Sequence, residues 1–220
     1  DSQDACCDYH PVDENHPRRP IAPYGLAKLI GEEAIGSFAR ATGLRATIIR
    51  PSGIVSGDAV LDRWTVGFVA GMLRTGKQNP KGELYLPGCE EPWLDLEARA
   101  ESAEQPCAVT GPDGKPWIYQ LVDARDVAHG LICGMGDEAG VGEAFNISAP
   151  KPIEYPEAAG VLAEEVPGGP VLCYQAPVRW IYDNDNSKAR HWIGYSPRWG
   201  IREMIRDAVS FREGQSDGMT

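Results

Sequence analysis

Tyr24 and Lys28 stand four residues apart in the run Pro23-Tyr24-Gly25-Leu26-Ala27-Lys28. On a helix that spacing is one turn, so both side chains share a face. A tyrosine hydroxyl titrates near 10 and is a poor base at neutral pH. An ammonium one turn away favours the phenolate and lowers that value, which makes Tyr24 a candidate general acid/base. The pair alone is weak evidence. With eight tyrosines and six lysines in 220 residues, a chance Tyr-x-x-x-Lys is expected about 0.2 times.

The surroundings carry more. His10-Pro11-Val12-Asp13-Glu14-Asn15-His16-Pro17 leads through Pro20 into the Tyr24 run, and a helical pattern then reaches the strand-like segment Arg45 to Arg50 and the turn that follows it. Later come Val122-Asp123-Ala124-Arg125-Asp126-Val127-Ala128, Gly142-Glu143-Ala144-Phe145-Asn146-Ile147-Ser148, and Ser187-Lys188-Ala189-Arg190 followed by Ile193-Gly194-Tyr195-Ser196-Pro197. In this order the segments resemble the extended short-chain dehydrogenase/reductase family, the NAD-dependent epimerase/dehydratase group. Its members read Pro-x-x-Glu-x-x-Pro, Pro-Tyr-x-x-x-Lys and Arg-Pro-x-x-x-x-x-Gly. Each motif is short, but the resemblance spans nearly the whole chain.

That resemblance implies NAD or NADP as cofactor and a small-molecule substrate. Tyr24 would exchange a proton with a substrate hydroxyl or carbonyl, and Lys28 would also hold the nicotinamide ribose hydroxyls. A third catalytic residue is implied, a Ser or Thr about two dozen residues before the tyrosine. The residue is expected just upstream of Asp1, with Ser2, at slightly short spacing, as the candidate within the sequence. The turn Pro51-Ser52-Gly53 lies where the family passes the nicotinamide, and Gly53 leaves backbone groups open to close approach. Nucleotide-sugar epimerases place an Asn where Gly53 stands and an Arg near Tyr119. The loss of both removes an amide donor and a phosphate fork, so a standard UDP-sugar is not expected. Arg125, Arg179 and Lys188 are the cations read as supplying charge to the substrate. Two other readings stay open: a non-catalytic dinucleotide-binding or regulatory relative, and an inactive fragment.

A dinucleotide fold of this type announces itself by a glycine-rich turn between its first strand and helix. None is present in that position. Gly134-Met135-Gly136 comes late and reads as a helix end. The expected fold is therefore α/β: the C-terminal part of a Rossmann-type, doubly wound parallel sheet, with a small α+β substrate lobe and the first Rossmann half upstream of Asp1. The divisions are 1–60 for the second Rossmann half with the catalytic helix, 61–117 for a substrate-covering segment with an acidic insertion, 118–150 for the return to the sheet, and 151–220 for the lobe.

Elements that must position these residues are legible locally. A helix from about Tyr24 to Gly43 would turn Leu26, Ile30, Ala34 and Phe38 toward the sheet. Ala46 to Arg50 reads as a strand buried on both faces. Leu61 to Arg74 is helical, with Trp64, Phe68 and Met72 on one face, and Glu90 to Gly114 is acidic and insertion-like, as a lid, a dimer contact or a solvated surface helix. Asp126 is expected to cap a helix through Met135, and Phe145 to Ile147 to return as a strand.

Composition excludes several classes. A net charge of −11 argues against a nucleic-acid partner. No apolar run approaches the length needed to span a bilayer, so no membrane is expected. Six cysteines, at 6, 7, 89, 107, 133 and 173, form no Cys-x-x-Cys pair and are read as lacking zinc-type spacing to histidine, so buried thiols and no metal are expected, with a redox-active or metal-binding Cys6-Cys7 pair as the alternative. A cytoplasmic location fits the thiols, and a homodimer is an expectation from the family.

Overall fold

The computed structural model describes residues 7–88 and 91–215. From residue 7 to 22 the chain is a loop laid across strand ends. Helix α1, Pro23–Thr42, starts on a proline, which loses no helical hydrogen bond at that position, and stops at Gly43 in the left-handed conformation, whose N–H donates to Ala39 O. Strands β1, Ile48–Pro51, and β2, Gly53–Val55, follow. A 3₁₀ turn at Leu61–Trp64 ends at extended Thr65, whose hydroxyl accepts from Phe68 N and opens α2, Val66–Lys77. Thus the aromatic stripe expected on one helix is divided between two.

Next come α3, Pro92–Arg99; β3, Cys107–Thr110; β4, Ile118–Tyr119; β5, Leu121–Asp123; and α4, Ala124–Gly136. Gly134-Met135-Gly136 is the last turn of α4. The chain continues with β6, Ala144–Ile147; α5, Tyr155–Glu165; β7, Leu172–Gln175; β8, Ile181–Tyr182; α6, Ser187–Trp192; and α7, Ile201–Arg212.

Four parallel pairs organise the strands: β1 with β6, β2 with β5, β3 with β7, and β4 with β8. Parallel pairing through helical crossovers is the signature of an α/β fold. The larger core joins residues 55–121 to the C-terminal lobe, with Trp64, Leu73, Trp117, Tyr155, Trp180 and Ile205 fully buried. A smaller core of Val122, Phe145, Ile147, Ala189, Ile193 and Tyr195 sits under β5 and β6. The acidic stretch joins the larger core: Trp93 and Leu96 of α3 are buried, and β3 is buried along most of its length.

Two expectations are corrected. β1 is half-buried, with Pro51 exposed, because among the described residues it pairs with β6 alone. And α1 has no buried residue: Leu26, Ile30, Ile35 and Phe38 face solvent. Its less exposed side is Gly25, Leu29, Glu32, Gly36 and Ala39, spaced three and four apart on one face. Glu32 on this side holds the helix, accepting from Arg50 Nε at 2.9 Å and Nη2 at 2.6 Å and from Arg18 Nη1 at 2.8 Å.

Candidate active site

Pro23 sets the first turn of α1, which presents Tyr24 and Lys28 together. The Lys28 ammonium lies 5.1 Å from the centre of the Tyr24 ring. Tyr24 is 65% exposed, and Lys28 makes no ion pair with any described residue. Both groups are therefore open to a ligand.

The floor beside them is aromatic. From the larger core a chain of rings runs Trp64, Tyr155, Trp117, Trp180, Tyr119 and Tyr182, with centroid separations of 5.0 to 6.1 Å. Burial pushes the Tyr182 hydroxyl up to about 12, with Tyr119, Cys7 and Tyr24 adding to the rise, which puts Tyr24 within electrostatic reach of the outer end of this chain. Burial also raises Tyr119, and the nearby Arg63 guanidinium opposes that rise. Arg63 is half-buried, stacks 4.9 Å over the Phe68 ring and forms no carboxylate pair among the described residues. It was not singled out from the sequence, where Asp62-Arg63-Trp64 shows only a helical stripe.

The turn after β1 adds polar atoms without partners. Ser52 is buried, its N–H donates to Ile147 O at 2.9 Å, and its hydroxyl has no hydrogen-bond partner. A Cβ on Gly53 would stand 2.9 Å from Leu121 Cδ2 and 4.0 Å from Tyr119 Oη, so the backbone here packs directly against the Tyr119 region. Pro51 is exposed. An orphaned buried hydroxyl, a bare backbone turn and an unpaired ammonium suit a nicotinamide ribose, so Tyr24, Lys28, Ser52 and Gly53 are the residues that could hold the cofactor.

The loop before α1 is stitched over the strand ends. Glu14 Oε1 accepts from Asn146 N at 2.7 Å, Val12 O accepts from Asn146 Nδ2 at 3.0 Å, and Val12 N donates to Asp183 O at 2.9 Å. The same loop brings Cys7 and His10 beside Glu83. The absence of zinc-type spacing read from the cysteines overlooked Cys7-x-x-His10, and Glu83 is supplied from far along the chain. Among the described cysteines only Cys107 is buried, where burial pushes its thiol up to about 12. Ser2 lies outside the described residues.

The three cations read as substrate ligands are engaged elsewhere. Arg125 donates to Asp123 twice and to Asp207, all at 2.7–2.8 Å, and stacks 3.4 Å from the Trp199 ring centre. Hydrogen bonding to Asp123 raises its pKa, with Asp207 assisting against burial. Lys188 donates to Glu143 at 2.8 Å and to Ala144 O at 3.0 Å. Arg179 is 3.8 Å from Asp113, its Nε is buried without a partner, and its backbone packs on Gly111. Asp126 is corrected as well: Asp123 caps α4, while Asp126 is buried and accepts from Arg198 N and Trp199 N at 3.0–3.2 Å.

A groove of about 610 Å³ lies on the lobe, lined by Pro92, Leu94, Tyr174 and Pro177 among others. It includes none of Tyr24, Lys28 or the Pro51–Gly53 turn.

Parallel strand pairs joined by helical crossovers, with a Tyr-x-x-x-Lys pair on the first turn of α1, define a Rossmann-type protein of the short-chain dehydrogenase/reductase class. Residues 5–148 match the NAD dependent epimerase/dehydratase family, and the chain belongs to that family. A provisionally named UDP-glucose 4-epimerase of Methanocaldococcus jannaschii is 49% identical over 212 residues, covering 94% of this chain and 59% of the relative. A short-chain dehydrogenase/reductase superfamily protein of Agrobacterium tumefaciens with bound NAD shares the fold with a TM-score of 0.71 at 22% identity, covering 94% of this chain and 62% of its own. UDP-glucose 4-epimerase of Thermotoga maritima, solved with UDP-glucose, has a TM-score of 0.60 at 20% identity, covering 97% and 62%. The chain thus spans about three fifths of the length of each of these.

Proposed function

We propose that this chain carries the proton-transfer helix and the substrate lobe of an NAD(P)-dependent epimerase, dehydratase or reductase. Its substrate would be a hydroxyl or carbonyl of a sugar-like or other small polar molecule. The observation that carries this reading is the solvent-open Tyr24 and Lys28 pair on one turn, with the ammonium 5.1 Å from the ring. When bound, the nicotinamide supplies the hydride acceptor or donor. Tyr24 Oη takes the hydroxyl proton as the substrate is oxidised and returns it to the oxygen on reduction. Lys28 offers its donors to ribose hydroxyls. The Pro51–Gly53 turn would pass the nicotinamide in the same site. Ser2 remains the proposed third hydroxyl.

For substrate recognition, Arg63 is favoured over Arg125 and Lys188, whose charges are already neutralised within the fold. The name of the 49% identical relative points toward a UDP-sugar, whereas Gly53 and Tyr119 stand where such enzymes carry an amide and a guanidinium. Arg63, beside Tyr119 and Phe68, supports an anionic or phosphate-bearing substrate held by different residues. Tyr24→Phe in the full-length protein should lower turnover at least about 100-fold with little change in cofactor affinity. Wild-type turnover by that variant would remove Tyr24 from the mechanism.

The outward apolar stripe of α1 favours a second reading, in which the 220-residue polypeptide alone is inactive and works only with a partner surface over that helix. Full turnover by the isolated, monomeric chain would dispose of it.

A further inference from the structure

Cys7, His10 and Glu83 have no part in the proton-transfer site, yet they converge. Cys7 and His10 sit at the start of the loop that precedes α1, and Glu83 belongs to the loop between α2 and α3. One ligand atom from each side chain lies within 4.8 Å of the other two. The Cys7 N–H donates to Glu83 Oε1 at 3.0 Å, and His10 Nε2 stands 3.5 Å from the same oxygen. The acid thereby keeps a second oxygen for another partner. All three residues are half-buried.

A simple ion pair between His10 and Glu83 accounts for only part of this. It uses Nε2 and leaves His10 Nδ1 buried with no hydrogen-bond partner.

The geometry points to a site for a divalent, zinc-type cation held by Cys7, His10 and Glu83. Thiolate, imidazole and carboxylate together suit borderline-soft ions and not calcium or magnesium. Tetrahedral zinc, with bonds of about 2.0–2.3 Å, needs ligand atoms about 3.3–3.8 Å apart, so modest rotamer adjustment closes the site. Three protein ligands leave the fourth position to water. Because Cys7 and Glu83 are 76 residues apart, the ion would clamp the loop before α1 onto the loop after α2.

The test is a Co²⁺ titration of the reduced 220-residue chain, followed by displacement with Zn²⁺. A near-ultraviolet thiolate-to-cobalt band saturating at one equivalent is expected, along with a zinc-dependent rise in the unfolding midpoint. Cys7→Ser should abolish the band and weaken zinc binding by more than about 100-fold, and Glu83→Gln should weaken it by more than about 10-fold. Cys133→Ser, which removes the other thiol beside a histidine, His129, should leave the band unchanged. Absence of the band at one equivalent in wild type, or its persistence in folded Cys7→Ser, would overturn the site. So would unweakened zinc binding by folded Glu83→Gln, the variant that keeps the thiol. None of these readouts involves Tyr24 or hydride transfer, so the site and the proposed activity stand or fall separately.

Discussion

Lys28 holds no carboxylate among the described residues, which is unusual for a lysine a few residues from Glu32 and Glu33, both of which bind Arg18 instead. Its ammonium is left for a ligand. Lys28→Ala should weaken NADH or NADPH binding about 10-fold or more in a nicotinamide-fluorescence titration, since a charge-assisted hydrogen bond contributes about 1.5–3 kcal/mol. Unchanged affinity in a protein that binds the cofactor would take Lys28 out of the ribose site. Asp126 illustrates the opposite kind of residue. It is buried and accepts from two backbone N–H groups of the segment before α7. Asp126→Ala should cost about 1–3 kcal/mol for each donor left unpaired, read by denaturant unfolding, and a loss below about 0.5 kcal/mol would contradict the assigned role.

At the scale of elements, α1 is attached by an ion-pair network, where sequence periodicity had predicted an apolar seam. Burial alone would raise the Glu32 carboxyl, but the hydrogen bonds and charges of Arg50 and Arg18 outweigh it and hold it below its ordinary value of 4.5. A carboxylate with a depressed folded pKa contributes stability above the unfolded value and loses it as pH falls through the folded one. Between about pH 5 and 3 the wild-type unfolding midpoint should therefore fall more steeply than that of Glu32→Gln; parallel profiles would mean that this pair does not fasten the helix. Helix α2 is pressed by its neighbour at Gly76, where a Cβ would stand 2.4 Å from Leu84 Cβ and 2.9 Å from Leu84 O. Gly76→Ala should destabilise by about 1–3 kcal/mol and move the Glu83 loop, which a lowered unfolding midpoint would report.

Over the whole molecule the stabilising mass is uneven. The larger core is rich in aromatics, whereas the sheet side has a small core and a helix whose Ile30 and Phe38 are 59% and 65% exposed. Among the described residues, no helix is long and apolar enough to cross a membrane. Exposed apolar stripes of this kind mark surfaces that bind something. Ile30→Asp combined with Phe38→Asp should reduce binding of an apolar dye and any self-association in sedimentation, while leaving the unfolding free energy within about 0.5 kcal/mol, because neither side chain is buried here. A large loss of stability would show instead that the stripe is packed.

What the sequence determined by itself is what neighbours a few residues apart can settle. The Tyr24 and Lys28 spacing, the start and glycine stop of α1, the separate strands around Ile48 and Phe145, and the helix ending at Gly134-Met135-Gly136 all rest on local backbone geometry. The ordered motifs conveyed the family for the same reason, each being a short contiguous segment. Only the tertiary structure decided matters that depend on a partner far along the chain. Periodicity shows that α1 has two distinct faces but not which one meets Arg50. An arginine or lysine reads as available charge until Asp207 reaches Arg125, or Glu143 reaches Lys188, from a separate element. Cys7 and His10 are three residues apart, yet they become a candidate metal site only when Glu83 is folded against them.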